Sequence, residues 1–294
     1  MKSVFIAGAT GYLGRFLCKE YQSRGWHVTA LARNSSHHGD LAADRVIEAE
    51  ATWPESLSGT MEGIDLVVSA LGITRQTDGV GYWDVDYQAN VNLMEEALHS
   101  QVARFVFVHV LNADRMEHVP LVAAKAAFVR KLQTSDIQST VIAPTGYFSD
   151  MADFLTMAKA GRVWLFGNGQ HRINPIHGAD LAAAIFNAVE DGAAWANIGG
   201  PETLTQRDLA RLCFDVLEKQ PRITYLPDIL RRLALRLLPR VAPRRIAGPA
   251  QFFLTAGGMN MTAPPSGTRR LADHFESLLV QERRSSNEPI GDDP

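Results

Sequence analysis

The sequence predicts an α/β fold, a doubly wound parallel sheet with a smaller C-terminal α/β region, and three observations predict it. Short apolar, β-branched runs alternate with longer amphipathic stretches through residues 1–150, the order expected of strands and covering helices in a parallel sheet. A glycine cluster, Gly8-Ala9-Thr10-Gly11-Tyr12-Leu13-Gly14, stands where the first strand passes into the first helix. Beyond Pro144 the alternation loosens, and a second region begins.

Strands are expected at 4–7, 27–31, 46–48, 66–69, 105–108 and 140–143, where Val, Ile, Leu and Phe cluster in short runs. Helices are expected at 13–23, 85–99 and 122–134, where apolar residues recur at three and four. The second region predicts a helix at 151–160, a turn-rich stretch at 161–175 and a helix at 179–190. Thr205 caps a helix over 205–217, and a terminal helix covers 271–280. Three parts follow: a dinucleotide-binding domain over 1–150, a substrate or lid region over 151–281 interleaved with the sheet, and a flexible tail over 282–294, rich in Arg, Ser, Asp and Pro.

Composition narrows the function. The 294 residues are 46% hydrophobic and 21% charged, a globular balance that excludes disorder as the dominant state. Twenty-nine basic against 32 acidic residues leave a net charge of −3, so no global field favours nucleic acid, whose binding depends on neutralising phosphates. Cys18 and Cys213 stand far apart, each in a helical pattern; they support neither a disulfide framework nor a metal site and read as small core residues. The run Val4-Phe5-Ile6-Ala7-Gly8 is too short and too soon broken by glycine for a signal peptide, and no stretch approaches a membrane span. A reducing, cytoplasmic location is the expectation, with no metal.

The glycine cluster carries the strongest chemistry. A first glycine permits the tight turn, a second lets backbone approach a pyrophosphate, and a third lets the helix pack closely on the sheet. Free N–H groups and the helix dipole then favour an anion at the helix start. This is the signature of a Rossmann-type dinucleotide site. At the end of the second strand an acidic residue would receive a ribose 2′-hydroxyl, but Ala32-Arg33 stands there. Arg33 suits a 2′-phosphate, with Ser35, Ser36 and His37 as further donors, so NADP(H) is expected in preference to NAD(H).

With Pro54-Glu55-Ser56-Leu57, Ser69-Ala70-Leu71-Gly72 and Asp86-Tyr87-Gln88-Ala89-Asn90, these motifs resemble the atypical short-chain dehydrogenase/reductase superfamily. The segments 144–150 and 174–181 are similar to its NmrA-like and divinyl-chlorophyllide-reductase-like branches, a group of reductases, redox sensors and assembly factors. The resemblance implies that Gly8, Thr10, Gly11, Tyr12, Leu13 and Gly14 form the pyrophosphate turn. Glu50 then approaches the adenine amine, and Ala70, Leu71 and Gly72 lie beneath the nicotinamide-side ribose. Lys125 bonds that ribose, and Pro144 to Tyr147 flank the nicotinamide ring.

One departure changes the chemistry expected. The usual dehydrogenase places a tyrosine one helical turn before its lysine, where the ammonium favours the phenolate. Here Leu121 stands four positions before Lys125, and none of the six tyrosines has a lysine four positions on. Hydride delivery to a conjugated C=C bond, a quinone or a related apolar acceptor then needs another proton source. His109, after the fifth strand, is either that donor or a structural histidine bonded to backbone; Tyr147 and His177 are the alternatives. The rival reading is a non-catalytic NADP(H)-binding regulator or assembly factor.

Other chemistries lack their motifs. The chain has no Gly-x-Ser-x-Gly elbow, no His-Glu-x-x-His pair and no Walker lysine, and His37-His38 reads as a solvated loop pair. The stretch 228–245 sets six arginines against Asp228, interleaved with leucines. It reads as a lid whose leucines face the core and whose arginines face water, walling together with Gln251-Phe252-Phe253-Leu254 a pocket for a small apolar or aromatic substrate, or as a peripheral membrane contact. The chain is expected to act as a monomer or homodimer.

Overall fold

The computed structural model describes residues 1–33, 41–73 and 80–287. Seven parallel strands form its centre, in the order β3-β2-β1-β4-β5-β6-β9. They are β1 (Ser3–Ala7), β2 (His27–Ala32), β3 (Arg45–Glu48), β4 (Leu66–Ser69), β5 (Arg104–Val108), β6 (Gln138–Pro144) and β9 (Trp195–Ile198). All six strands expected from the sequence are present. The seventh, β9, pairs Val141 with Trp195 and Pro144 with Ile198; it escapes sequence reading because Asn197 interrupts its four residues, leaving no β-branched run.

Alternation along β1 explains the layering. Val4 and Ile6 point to one face, where they meet Leu13, Leu17, Cys18 and Tyr21 of α1 (Tyr12–Ser23) and Leu181, Ala182 and Ile185 of α6 (Gly178–Glu190). Phe5 and Ala7 point to the other, against Leu93 and Ala97 of α3 (Asn90–His99) and Phe128, Val129 and Leu132 of α4 (Pro120–Gln133). A short α2 (Pro54–Leu57) precedes β4. The helix expected from residue 85 begins as a π-helical segment, Trp83–Ala89, whose wider turn sets Asp86 inward.

The smaller region packs α5 (Ala152–Lys159), α7 (Gln206–Val216) and α10 (Leu271–Asn287) around Phe148, Leu155, Leu209, Phe214 and Phe275. Two short pairs lie within it: β7 (Val163–Phe166) runs parallel to β11 (Ile223–Leu226), and β8 (Arg172–Ile173) antiparallel to β10 (Leu204–Thr205). The stretch 161–175 therefore holds two strands as well as turns. Thr205 caps α7 as expected: its Oγ1 accepts from Asp208 N at 3.1 Å.

Two expectations are corrected. The tail does not begin at 282, because α10 runs on to Asn287 and Glu282 accepts from Lys159 Nζ at 2.5 Å. In the stretch 228–245 only Leu235 and Leu238 turn inward, whereas Ile229, Leu230, Leu233 and Leu237 are exposed, so its apolar residues do not all face the core as expected. The stretch forms α8 (Asp228–Val241) and opens α9 (Arg244–Ala256), and no residue of α8 is buried.

Candidate functional site: a nucleotide turn and an adjoining cavity

Strand order reverses between β1 and β4, and the carboxyl ends of these neighbours define the switch point where ligands of such sheets collect. Gly8 turns the chain there with φ +78°, and a Cβ on it would lie 2.9 Å from the Ala70 carbonyl. Gly11 N donates to Gly8 O at 3.0 Å, closing the turn. On Gly14 a Cβ would meet Gly8 O at 2.0 Å, so only glycine lets α1 start this close to the strand. Gly11 caps α1 with no side-chain acceptor, and the first turn holds no acid. The helix therefore keeps its N–H groups and positive end for an anion, and the residues fit a dinucleotide diphosphate. Thr10 is exposed beside the turn, Leu13 is buried beneath it, and the Tyr12 hydroxyl accepts from Gly178 N at 3.1 Å.

Farther along the same edge, the π-helical turn brings Asp86 against α4. Its Oδ1 lies 3.2 Å from Lys125 Nζ, the aspartate wholly buried and the lysine nearly so. Lys125 Nζ also donates to Val108 O at 3.1 Å and sits 4.9 Å from the Phe107 ring. Asp86 Oδ2 accepts from Ile73 N at 3.3 Å. Burial pushes the Asp86 carboxyl up and the Lys125 ammonium pulls it back. Gly72 leaves room for this pair: a Cβ there would lie 2.5 Å from Asp86 Oδ1 and 2.9 Å from Lys125 Nζ.

A cavity of about 320 Å³ opens beside the pair. Ala70, Gly72, His109, Lys125, Pro144 and Tyr147 line it, so six sequence-predicted residues from four stretches of chain converge. Leu71 turns instead to the core. Met151, Leu209, Phe252 and Met261 supply apolar walls. Arg33 is exposed at the end of β2, and Glu50, beyond β3, accepts from Thr52 N at 3.3 Å. Ser35, Ser36, His37 and His38 lie outside the described residues.

The three proton-donor candidates have different surroundings. His109 is buried, its ring 6.2 Å from Phe107 and 6.0 Å from Trp195, with Nδ1 lacking any hydrogen-bond partner among the described residues. Burial, followed by the nearby Lys125 and Arg130 charges, lowers it to about 3, which favours the neutral ring over the imidazolium. His177 does not line the cavity; its Nδ1 accepts from Ala179 N at 3.1 Å and caps α6. Burial raises the Tyr147 hydroxyl well above its ordinary value. Sequence reasoning gave no chemistry to two carboxyl groups in motifs it had singled out, Asp86 and Asp150. Asp150 also lines the cavity, accepts from Tyr147 N at 3.1 Å, and is raised by burial with Asp153 adding to the effect.

This fold and edge define a doubly wound dinucleotide-binding protein. Residues 8–192 match the NAD(P)H-binding family, and the chain belongs to that family. Photosystem II assembly factor Ycf39 of Guillardia theta is 26% identical over 232 residues, covering 76% of this chain and 73% of that one. Divinyl chlorophyllide a 8-vinyl-reductase of Arabidopsis thaliana is 27% identical over 269 residues, covering 82% and 63%, so this chain spans less than two thirds of that relative. The structure of NADPH-dependent quinone oxidoreductase QOR2 from Escherichia coli, complexed with NADPH, shares the fold with a TM-score of 0.74 at 20% identity, over 94% of this chain and 99% of that one.

Proposed function

We propose that the chain is an NADP(H)-dependent reductase of a conjugated C=C bond, a quinone or a related apolar acceptor. The observation that carries this reading is the apolar cavity opening beside a buried Lys125–Asp86 pair, at the edge of the sheet where the glycine turn also lies. When bound, the reduced coenzyme supplies a hydride. The turn from Gly8 to Gly14 holds its diphosphate, Arg33 its 2′-phosphate and Glu50 its adenine amine. Ala70, Leu71, Gly72 and Pro144 border its nicotinamide end, where Lys125 holds the ribose.

Within the cavity, Asp86 acts as a positioning residue: it fixes the Lys125 ammonium and balances its charge. Asp150, whose carboxyl burial raises above its ordinary value, supplies the proton that the missing tyrosine would have given. Neutral His109 offers a hydrogen bond to the acceptor through its ring. Met151, Phe252 and Met261 exclude water and select a flat apolar molecule.

A second reading, a regulator or assembly factor that binds NADP(H) without turnover, is favoured by Leu121 in place of the tyrosine and by the likeness to an assembly factor. NADPH oxidation against quinones, enones and imines separates the two. The reductase reading expects turnover with at least one acceptor, and a kcat about a hundredfold lower in Asp150→Asn, which keeps the Tyr147 hydrogen bond. NADPH binding with no turnover on any acceptor, and a cellular partner held only in the presence of nucleotide, would establish the regulator.

A further inference from the structure

Helix α8 reverses the usual burial of an amphipathic helix. Its inner side carries Ala234, Leu235, Leu238 and Arg231, the last bonded to Asp228 at 2.6 Å and to Leu254 O at 3.0 Å. Its outer side carries Ile229, Leu230, Leu233, Leu237 and Val241, which are 43–76% exposed. At about 100° per residue these five fall within one arc of about 120°. Arg232 and Arg236 run along one flank of that arc, and Arg240 falls just within its edge. Arg244, Arg245 and the exposed Ile246 continue the pattern into the first turn of α9.

The charge is as one-sided as the hydrophobicity. No acidic residue occurs between Asp228 and Asp273. Asp228 is already engaged by Arg231 and Arg232. Among the described residues Arg236, Arg240, Arg244 and Arg245 have no carboxylate partner. This cationic face belongs to a chain whose net charge is −3, so the asymmetry is local to it.

We propose that α8 and the first turn of α9 dock on an anionic lipid bilayer, the outer apolar arc entering the acyl boundary and the flanking arginines meeting headgroup phosphates. A convex apolar ridge beside a row of cations suits a broad, deformable anionic surface. A second copy of this chain suits it poorly, because a two-fold contact would set arginines against arginines with no free carboxylate between them. No helix among the described residues is long and apolar enough to cross a membrane, so the contact is peripheral. Because α9 also walls the cavity with Phe252 and Phe253, docking holds that wall near the lipid.

The test is sedimentation of the purified full chain with vesicles of phosphatidylcholine alone, or with phosphatidylglycerol as roughly one lipid in three, at low and at high salt. Binding to the anionic vesicles at low salt, weakened by salt and slight on the neutral vesicles, is expected. Arg236→Gln with Arg240→Gln lowers the anionic partition coefficient by about thirtyfold. Leu233→Glu with Leu237→Glu abolishes binding, while an unchanged thermal midpoint confirms an intact fold. Absence of binding at low salt, or equal binding by the arginine variant, overturns the proposal. So does a concentration-dependent dimer in sedimentation velocity that the leucine variant dissolves, or binding to polyglutamate as tight as to the anionic vesicles.

Discussion

Helices α1 and α8 have comparable lengths and carry apolar stripes at the same spacing, yet the fold uses them in opposite ways. Along α1, Leu13, Leu17, Cys18 and Tyr21 are sealed against the sheet and α6, while its first turn is left without a side-chain cap or an acid. Along α8 the stripe faces outward, while Asp228 occupies the first turn and binds two arginines. The first helix is closed along its side and open at its end; the second is closed at its end and open along its side. An apolar periodicity therefore announces a face that must be covered without naming what covers it.

The largest effect should come from the covered side. Leu17 is fully buried, and Leu17→Ala is expected to cost about 2–5 kcal/mol, from lost transfer energy and the cavity left behind. Urea denaturation measures it, and a loss below about 1 kcal/mol would show that α1 is less sealed than the contrast requires.

Acid should also act mainly on the interior. His109 is lowered from 6.5 to about 3, so below pH 6.5 the unfolded chain binds a proton that the folded chain refuses. Its contribution is complete above pH 6.5 and is lost as pH falls toward 3, amounting to about 2 kcal/mol between pH 7 and pH 5. Removing the titrating group in His109→Gln should flatten that limb of the urea-midpoint profile, although His177 and His274, also lowered by burial, keep theirs. At α8, Asp228 is lowered by hydrogen bonds from Arg231 and Arg232. Its contribution is present above the usual carboxylate range and lost only at lower pH, and an exposed pair of this kind adds little.

The open end of α1 gives the next effect. If the turn takes a coenzyme with a 2′-phosphate, Arg33→Ala should weaken NADPH binding by about tenfold. NADH binding should change by less than about threefold. Calorimetric titration of both decides it, and an equal loss for the two would remove Arg33 from the 2′-phosphate role.

The inner sheet was legible because Val4-Phe5-Ile6-Ala7 and its counterparts in β2, β4, β5 and β6 are buried on both faces and read as nearly unbroken apolar runs. The glycine turn was legible because backbone geometry, which only glycine satisfies at positions 8 and 14, writes itself into the sequence. The cavity chemistry was only half legible. Lys125 stands out by motif, but its partner Asp86 is 39 residues away, on a π-helical turn that no simple periodicity announces. His109 stands out as a donor candidate because its residue type titrates near neutrality; the burial that lowers it is a property of packing. For α8 the spacing was legible but not the direction of each apolar residue, since the outward Ile229 and Leu233 differ from the inward Leu235 and Leu238 only in what lies beyond them.

The smallest effect is therefore the most telling. Leu237 is 46% exposed and the side chains beside it on the arc also face outward, so Leu237→Ser removes little apolar contact from the folded chain. Stability should shift by less than about 0.5 kcal/mol, a tenth or so of the upper value for Leu17→Ala at the matching phase of the other helix. A thermal midpoint lowered by several degrees would mean that the outer leucines of α8 are already covered in solution, by the chain itself or by another copy, and the contrast between the two helices would fail. A midpoint that holds while vesicle binding falls assigns Leu237 to contacts beyond its own fold, which is the only place its outward position allows it to contribute.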